Sequence, residues 1–408
     1  MALDLTKVAA QVGGMLTRLK ARREKREECL QSALEVLRNS TDDFAHLREK
    51  IIASKTTWLV AGLVDGLNRC YPAFPLPAEF TIIASDGSHI DVDRHRSARC
   101  YLINTGSVTL HYGSDPNAIL ESWPRLYAED EDLVITPPNG KGREQPIEGS
   151  LLSIKRSVEE CQRLAELAEE LPTDSSALAL FDGSLILWGL ASKDCPEFVT
   201  DILLHKGFLT HLDQMRKLNR DRTCPKHDRR KLALASYISL PRSTDVINAL
   251  RVAICPYEPV DCDHCPGDGE RACDVMAGLQ DHELFASVLG PGERSALFVS
   301  QSSVVKKHYG EHQVHFFYLR LDDEIARVEI PQWVAQDDDL LNLTHTLVLD
   351  QCKRGRGYPV ALSEAHEQAV VTGIDREDFW QLVESLLVEK HLPTVSSGKS
   401  FSKRTRWV

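Results

Sequence analysis

The sequence predicts an α/β protein built on a mixed sheet flanked by helices, and three observations carry that expectation. Two apolar runs, residues 80–85 and 178–181, have the length and composition of buried strands, and each leads into the same tripeptide, Asp86-Gly87-Ser88 and Asp182-Gly183-Ser184. A helical pattern covers residues 151–171, with Ser150 as a possible N-cap and Pro172 beyond its end, and it feeds directly into the second of these runs. After the first run, residues 100–104 and 107–112 read as consecutive strands joined through Thr105-Gly106, so the sheet begins as a meander.

Two readings of the repeated tripeptide are open at this level. Asp-Gly-Ser is ordinary turn chemistry, in which Asp bonds its own backbone and Gly supplies a positive φ. A buried carboxylate is also costly unless it is paired, and two of them at the same point of two strands suggest a shared cation.

The bulk properties narrow the choice of class. A chain of 408 residues, 42% hydrophobic and 26% charged, has the balance of a soluble globular protein of one elaborated domain or two. No apolar run approaches the roughly 18 residues that span a bilayer, and Met1-Ala2-Leu3-Asp4 opens no signal sequence. A cytoplasmic protein without a membrane partner is therefore expected. The net charge of −12 argues against coating nucleic acid by bulk electrostatics, though it leaves room for a local basic channel.

In chain order, residues 1–78 read as an N-terminal helical extension, 79–395 as the main domain and 396–408 as a basic tail. Leu5, Val8, Val12, Leu16 and Leu19 recur at helical spacing before the basic run Arg22, Arg23, Lys25 and Arg26, and the pattern resumes through Leu30, Leu34 and Leu37. Pro72, Pro75 and Pro77 end this preface. Residues 113–147, rich in Pro, Gly, Asp and Glu, read as a long surface loop. Residues 200–232 read as helical. Arg216, Lys217, Arg220, Arg222, Lys226, Arg229, Arg230 and Lys231 within them suit either a phosphate-facing surface or a solvated loop.

Eleven cysteines without a signal sequence do not suggest a disulfide framework. Four of them, Cys255, Cys262, Cys265 and Cys273, form C-x6-C-x2-C-x7-C in a Pro-, Gly- and Asp-rich insert at about 255–273. Four thiolates suit a tetrahedral Zn²⁺ site or an iron–sulfur cluster, and unligated thiols are the alternative. Further on, residues 297–300, 315–321 and 325–330 are strand-like, the last two joined by a turn at Asp322-Asp323-Glu324. A helix over about 337–353 leads to Gly355-Arg356-Gly357-Tyr358-Pro359 and a last helix that holds His366. Gly398-Lys399-Ser400 does not complete a phosphate-binding loop, because Pro393 stands where that pattern needs glycine.

Taken in order, Ser85-Asp86-Gly87-Ser88, Phe181-Asp182-Gly183-Ser184-Leu185, Phe317-Tyr318-Leu319 with Arg327-Val328-Glu329-Ile330-Pro331, and Gly357-Tyr358-Pro359 followed by Ala365-His366 resemble the NurA nuclease family over about residues 80–373. The resemblance implies a ribonuclease-H-like (Argonaute PIWI-like) mixed sheet with a manganese-dependent DNA nuclease site. It also implies 5′–3′ exonuclease and single-strand endonuclease action in DNA end resection and double-strand break repair, by dimers docked on a HerA-type hexameric ATPase. By motif match, Asp86 and Asp182 would be metal-binding carboxylates, and Tyr358 and His366 the tyrosine and histidine of the C-terminal motif. The family also carries an acidic residue on the helix before the second Asp; Glu159 and Glu160 both stand there, and Glu160 is favoured. The cysteine insert is not a family feature, so its role is not inherited.

The residue types agree with that chemistry. Divalent ions on carboxylates can activate water and stabilise the charge of phosphodiester hydrolysis, and a His among the ligands tilts preference from Mg²⁺ toward Mn²⁺. Asp86, Asp182 and Glu160 are assigned to the ions, His366 to ligation or proton transfer, and Tyr358 to orienting a phosphate or water. A non-catalytic adaptor that binds the ATPase or DNA ends, and a ribonuclease H-like enzyme acting on RNA, are the competing expectations.

Overall fold

The computed structural model describes residues 4–40, 43–138, 140, 142–172, 175–192, 195–219, 231–265 and 271–394. Arg220, Arg222, Lys226, Arg229, Arg230 and the tail 396–408 lie outside the described residues. The chain divides into two compact units: Met1–Ala73 with Ile238–Ser302 and Gln313–Val328, and Phe74–Tyr237 with Ser303–His312 and Glu329–Val408.

In the first unit a single helix, Leu5–Asn39, opens on the Asp4 side chain, which accepts from Lys7 N at 3.3 Å. The apolar spacing of its first half is largely unburied: Leu5, Val12, Leu16 and Leu19 are exposed and Val8 is half-buried. Its second half buries Cys29, Ala33 and Leu37, four residues apart and so on one helical face; Ala33 and Leu37 join a core with Leu250, Met276, Phe285 and Phe316. The expected hairpin forms between Val314–Arg320 and Ile325–Pro331, closed by Leu321 N donating to Glu324 O at 2.9 Å.

A buried polar cluster anchors this unit. Asp281, fully buried, accepts from Val246 N at 3.1 Å and Ile247 N at 2.8 Å, the first turn of helix Asp245–Ala253, and from Tyr318 Oη at 2.6 Å. Arg327 donates to Asp245 at 3.0 Å in the same interior. Burial, and then the neighbouring Asp245, push the Asp281 carboxyl up to about 6.

The second unit is organised around five strands in the spatial order Asn117–Tyr127, Tyr101–Tyr112, Phe80–Ile90, Ser176–Asp182 and Lys231–Ile238. The first three are antiparallel and the last three parallel. The mixed sheet flanked by helices is therefore present, with three differences from the sequence reading. Residues 101–112 form one strand rather than two, because Thr105 and Gly106 stay in the ladder opposite Gly87 and Asp86.

Gly106 is required by close approach rather than by a turn: a Cβ there would lie 2.2 Å from Ala365 O, on the helix Val360–Ala369 that packs against this strand. Gly106→Ala is expected to destabilise the unit by about 1–3 kcal/mol or more, since the obstacle is backbone that cannot rotate away. Denaturant unfolding reads this directly, and an unchanged midpoint would contradict the packing.

The second difference is that residues 113–147 are not a loop. They contain the edge strand Asn117–Tyr127, a short helix Asp130–Leu133 and a small ladder of Val134–Ile135 with Gln145–Pro146. The edge strand is exposed along almost its whole length, so its sequence carries no buried alternation to betray it. Third, the expected helix over 200–232 is a run of α and π turns, Glu197–Leu218, followed by the strand Lys231–Ile238. The described basic residues there are paired: Arg216, itself buried, with Glu311 at 2.8 Å, Lys217 with Asp213 at 2.8 Å, and Lys231 with Asp339 at 2.9 Å.

Candidate active site

Strands Phe80–Ile90 and Ser176–Asp182 run parallel with Ser85 opposite Phe181, so Asp86 and Asp182 follow at one level and point to the same face. The two Asp-Gly-Ser tripeptides are nonetheless built differently. At Asp182 the strand ends, and Gly183 takes φ +84°, the left-handed turn conformation that favours glycine. At Asp86 the strand continues to Ile90. Gly87 serves close approach instead, since a Cβ there would lie 2.5 Å from Glu160 Oε1.

Alternation along the strand separates two faces. Ser85 and Gly87 face the helix Ser150–Glu170, where Ser85 Oγ donates to Glu160 O at 2.8 Å and Arg156 donates to Gly87 O at 2.7 Å. Asp86 and Ser88 face the helix Val360–Ala369: Ser88 Oγ donates to Ala369 O at 2.5 Å, and His366 Nδ1 bonds Asp86 Oδ2 at 2.7 Å. Because the acceptor is a carboxylate, Nδ1 of His366 carries the proton in this pair. Asn104 ties the end of the same helix down through Gln368 O and Ala369 O.

Glu160 is almost completely buried and comes toward the aspartates from the other face, over Gly87. Its carboxyl is pushed up to about 8, first by burial and then by the charges of Asp86 and Asp182, against the opposing guanidinium of Arg156 whose Nε lies 3.2 Å away. Among the described residues, none donates a hydrogen bond to its Oε1. Glu159, the other acidic residue of this turn, is turned away: it accepts from Tyr127 Oη and pairs with Lys155 at 3.3 Å.

Tyr358 Oη donates to Asp182 Oδ1 at 2.9 Å, and its ring packs edge-on against Tyr237, the strand neighbour of Asp182. Asp182 is raised above its ordinary value by burial, and further by Asp86, while the Tyr358 hydroxyl opposes the shift. Burial, with the Asp182 charge behind it, raises the Tyr358 phenol, so it remains a donor at neutral pH. The geometry thus gathers Asp86, Asp182, Glu160, Tyr358 and His366 at one end of the two parallel strands.

Glu329 is a participant that residue-by-residue reading of the sequence did not single out. Buried on the strand Ile325–Pro331, it accepts from Ser184 Oγ at 2.8 Å and Leu185 N at 3.0 Å, and so holds the turn that follows Asp182. The signal was a carboxylate inside a strand that is apolar but for it and Arg327.

The donor set of three carboxylates and one imidazole is that of a hard divalent cation, and the mutual charge that raises Glu160 and Asp182 is the kind a cation relieves. Among the described residues no three such side chains stand at coordinating distance of one point. In the metal-free protein the linkage has a definite sign. Glu160 holds its proton more tightly when folded than at its ordinary 4.5, so its contribution to stability is fully present below about pH 4.5 and is lost as pH rises through about 8. Urea midpoints of metal-free protein are therefore expected to fall between pH 5 and 8.5, and Glu160→Gln to flatten that fall.

Comparison with curated proteins finds none that matches this chain. The NurA domain model matches residues 80–371, well over half of the chain and the whole span from the first Asp strand to the His366 helix. NurA is a family of nucleases that act on DNA, and this chain belongs to it.

Proposed function

We propose that the protein is a divalent-metal-dependent DNA nuclease that hydrolyses phosphodiester bonds in the processing of DNA ends. The observation that carries the reading is the placement of Asp86 and Asp182 side by side at one end of parallel strands, each oriented by its own partner, His366 or Tyr358, with buried Glu160 charge-coupled to both. Open α/β sheets place their reactive groups at the carboxyl ends of parallel strands, where Asp182 stands.

Asp86, Asp182 and Glu160 would hold Mn²⁺ or Mg²⁺, with His366 as a further ligand or proton carrier. The ion, when bound, acidifies water and stabilises charge on the phosphoryl oxygens. Tyr358 holds Asp182 in one orientation. The His366 ring is largely exposed and its Nδ1 is engaged by Asp86, so ligation or proton transfer would fall to Nε2.

The family relationship supports a ribonuclease-H-like fold, a dimer, 5′–3′ exonuclease with single-strand endonuclease action, and service to a HerA-type hexameric ATPase. The want of a phosphate-binding loop at Gly398-Lys399-Ser400 agrees with an engine supplied by a partner. The test is cleavage of end-labelled single- and double-stranded DNA, RNA and hybrid with Mn²⁺, Mg²⁺ and no metal. DNA cleavage that requires a divalent ion is expected. Binding without cleavage would make the protein an adaptor, and preference for RNA would reassign the substrate.

A further inference from the structure

The four-cysteine segment lies within the first unit and takes no part in the carboxylate site. Cys255, Cys262, Cys265 and Cys273 all line one cavity of about 20 Å³, and none of the four is in a disulfide. They reach it from three separate places: Cys255 from the end of helix Asp245–Ala253, Cys262 and Cys265 from the following turn, and Cys273 from the short helix Ala272–Met276.

The rest of the unit holds these places in position. Lys55 N donates to Val260 O at 2.8 Å and Cys262 N to Lys55 O at 2.9 Å, while Val260 and Met276, one between the cysteines and one just past them, are buried in the core. Charge of both signs lies beside the thiols: Asp261 lines the cavity, and Asp274 pairs with Arg251 at 3.4 Å. Arg251 and Arg271 line the same cavity; Arg251, stacked on Trp58, donates to Cys273 O at 3.0 Å and lies 4.0 Å from Cys273 Sγ. The guanidinium groups offset part of the net charge of −2 that four thiolates keep around a dication.

We propose that Cys255, Cys262, Cys265 and Cys273 form a structural site for a single Zn²⁺ ion. The sulfurs line the cavity without standing at coordinating distance, so binding draws them inward. Four S–H protons pass to solvent and four Zn–S bonds form, with no change of oxidation state. The cavity has room for about one water-sized body, which suits one ion rather than a cluster of several irons and sulfides.

The test uses the full chain purified from zinc-supplemented medium. Elemental analysis is expected to find about one zinc and no iron per chain. Titration of the folded wild-type protein with an organomercurial should release that zinc to a chromophoric chelator as four thiols react. Cys262→Ser and Cys265→Ser should each reduce bound zinc to background, while Cys195→Ser and Asp182→Asn leave it unchanged. The Asp182→Asn arm separates this site from the carboxylates, so failure here leaves the nuclease reading untouched. Should the serine variants not fold, wild-type release still decides. Folded wild-type protein that contains no zinc, zinc that survives blocking of the thiols, or iron with sulfide absorption would each overturn the proposal.

Discussion

Asp182→Asn is expected to abolish metal-dependent DNA cleavage, by on the order of 10³-fold or more in kcat, while the protein stays folded. The substitution keeps the shape and the hydrogen bond from Tyr358 but removes the charge on which an ion would rest. It also removes one of the charges that raise Glu160, so the variant should be no less stable than wild type without metal. That combination, activity lost with stability held or gained, is what separates a functional carboxylate from a structural one. Circular dichroism and urea midpoints beside the cleavage assay measure both, and cleavage at the wild-type rate would sink the assignment.

The largest effect on stability is expected at Asp281, in the other unit. Asp281→Ala would leave two amides of helix Asp245–Ala253 and the Tyr318 hydroxyl short of their buried acceptor, and the loss is expected to be about 3–5 kcal/mol. Asp281→Asn retains an acceptor oxygen and should lose less. Its raised proton affinity adds a check of sign: wild-type stability from this group is complete below the ordinary 3.8 and declines as pH rises through about 6, and both variants lose that dependence. Equal urea midpoints for wild type and Asp281→Ala would refute the role given to this carboxylate.

Much of the candidate site was legible along the chain because its chemistry is local. A carboxylate at the end of an apolar run stands out, and its repetition marks both strands, while their parallel pairing was decided by the fold. The choice between Glu159 and Glu160 was not legible. Neighbours on a helix point about 100° apart, and only packing of the helix against Ser85 and Gly87 decides which of them looks toward the aspartates. Glu329 was named only as part of a motif, without a role, and Tyr127 not at all, for a related reason: their partners, Ser184 and Glu159, are distant in sequence.

The elements themselves divide in the same way. Phe80–Ile90, Ser176–Asp182, Ser150–Glu170 and the hairpin of Val314–Arg320 with Ile325–Pro331 announce themselves through burial, which leaves apolar runs in the strands and a helical period in the helix; the expected Ser150 cap is not made, since Gly149 stands at the N-cap and no side chain caps the helix. Asn117–Tyr127 does not, because an exposed edge strand is held by backbone hydrogen bonds to its neighbour and these leave no mark on side-chain pattern. Gly106 illustrates the same limit. In sequence it suggests a turn; in the fold it is the point where a helix backbone touches a strand.

By itself, then, the sequence determined the α/β class and the two Asp strands, and named the candidate carboxylates, since composition and periodicity follow from burial along one segment. Tertiary structure alone decided which glutamate joins Asp86 and Asp182, why each Asp is followed by glycine, and that four cysteines from three places share one cavity. Those are contacts between segments far apart in the chain, fixed by packing rather than by any local preference.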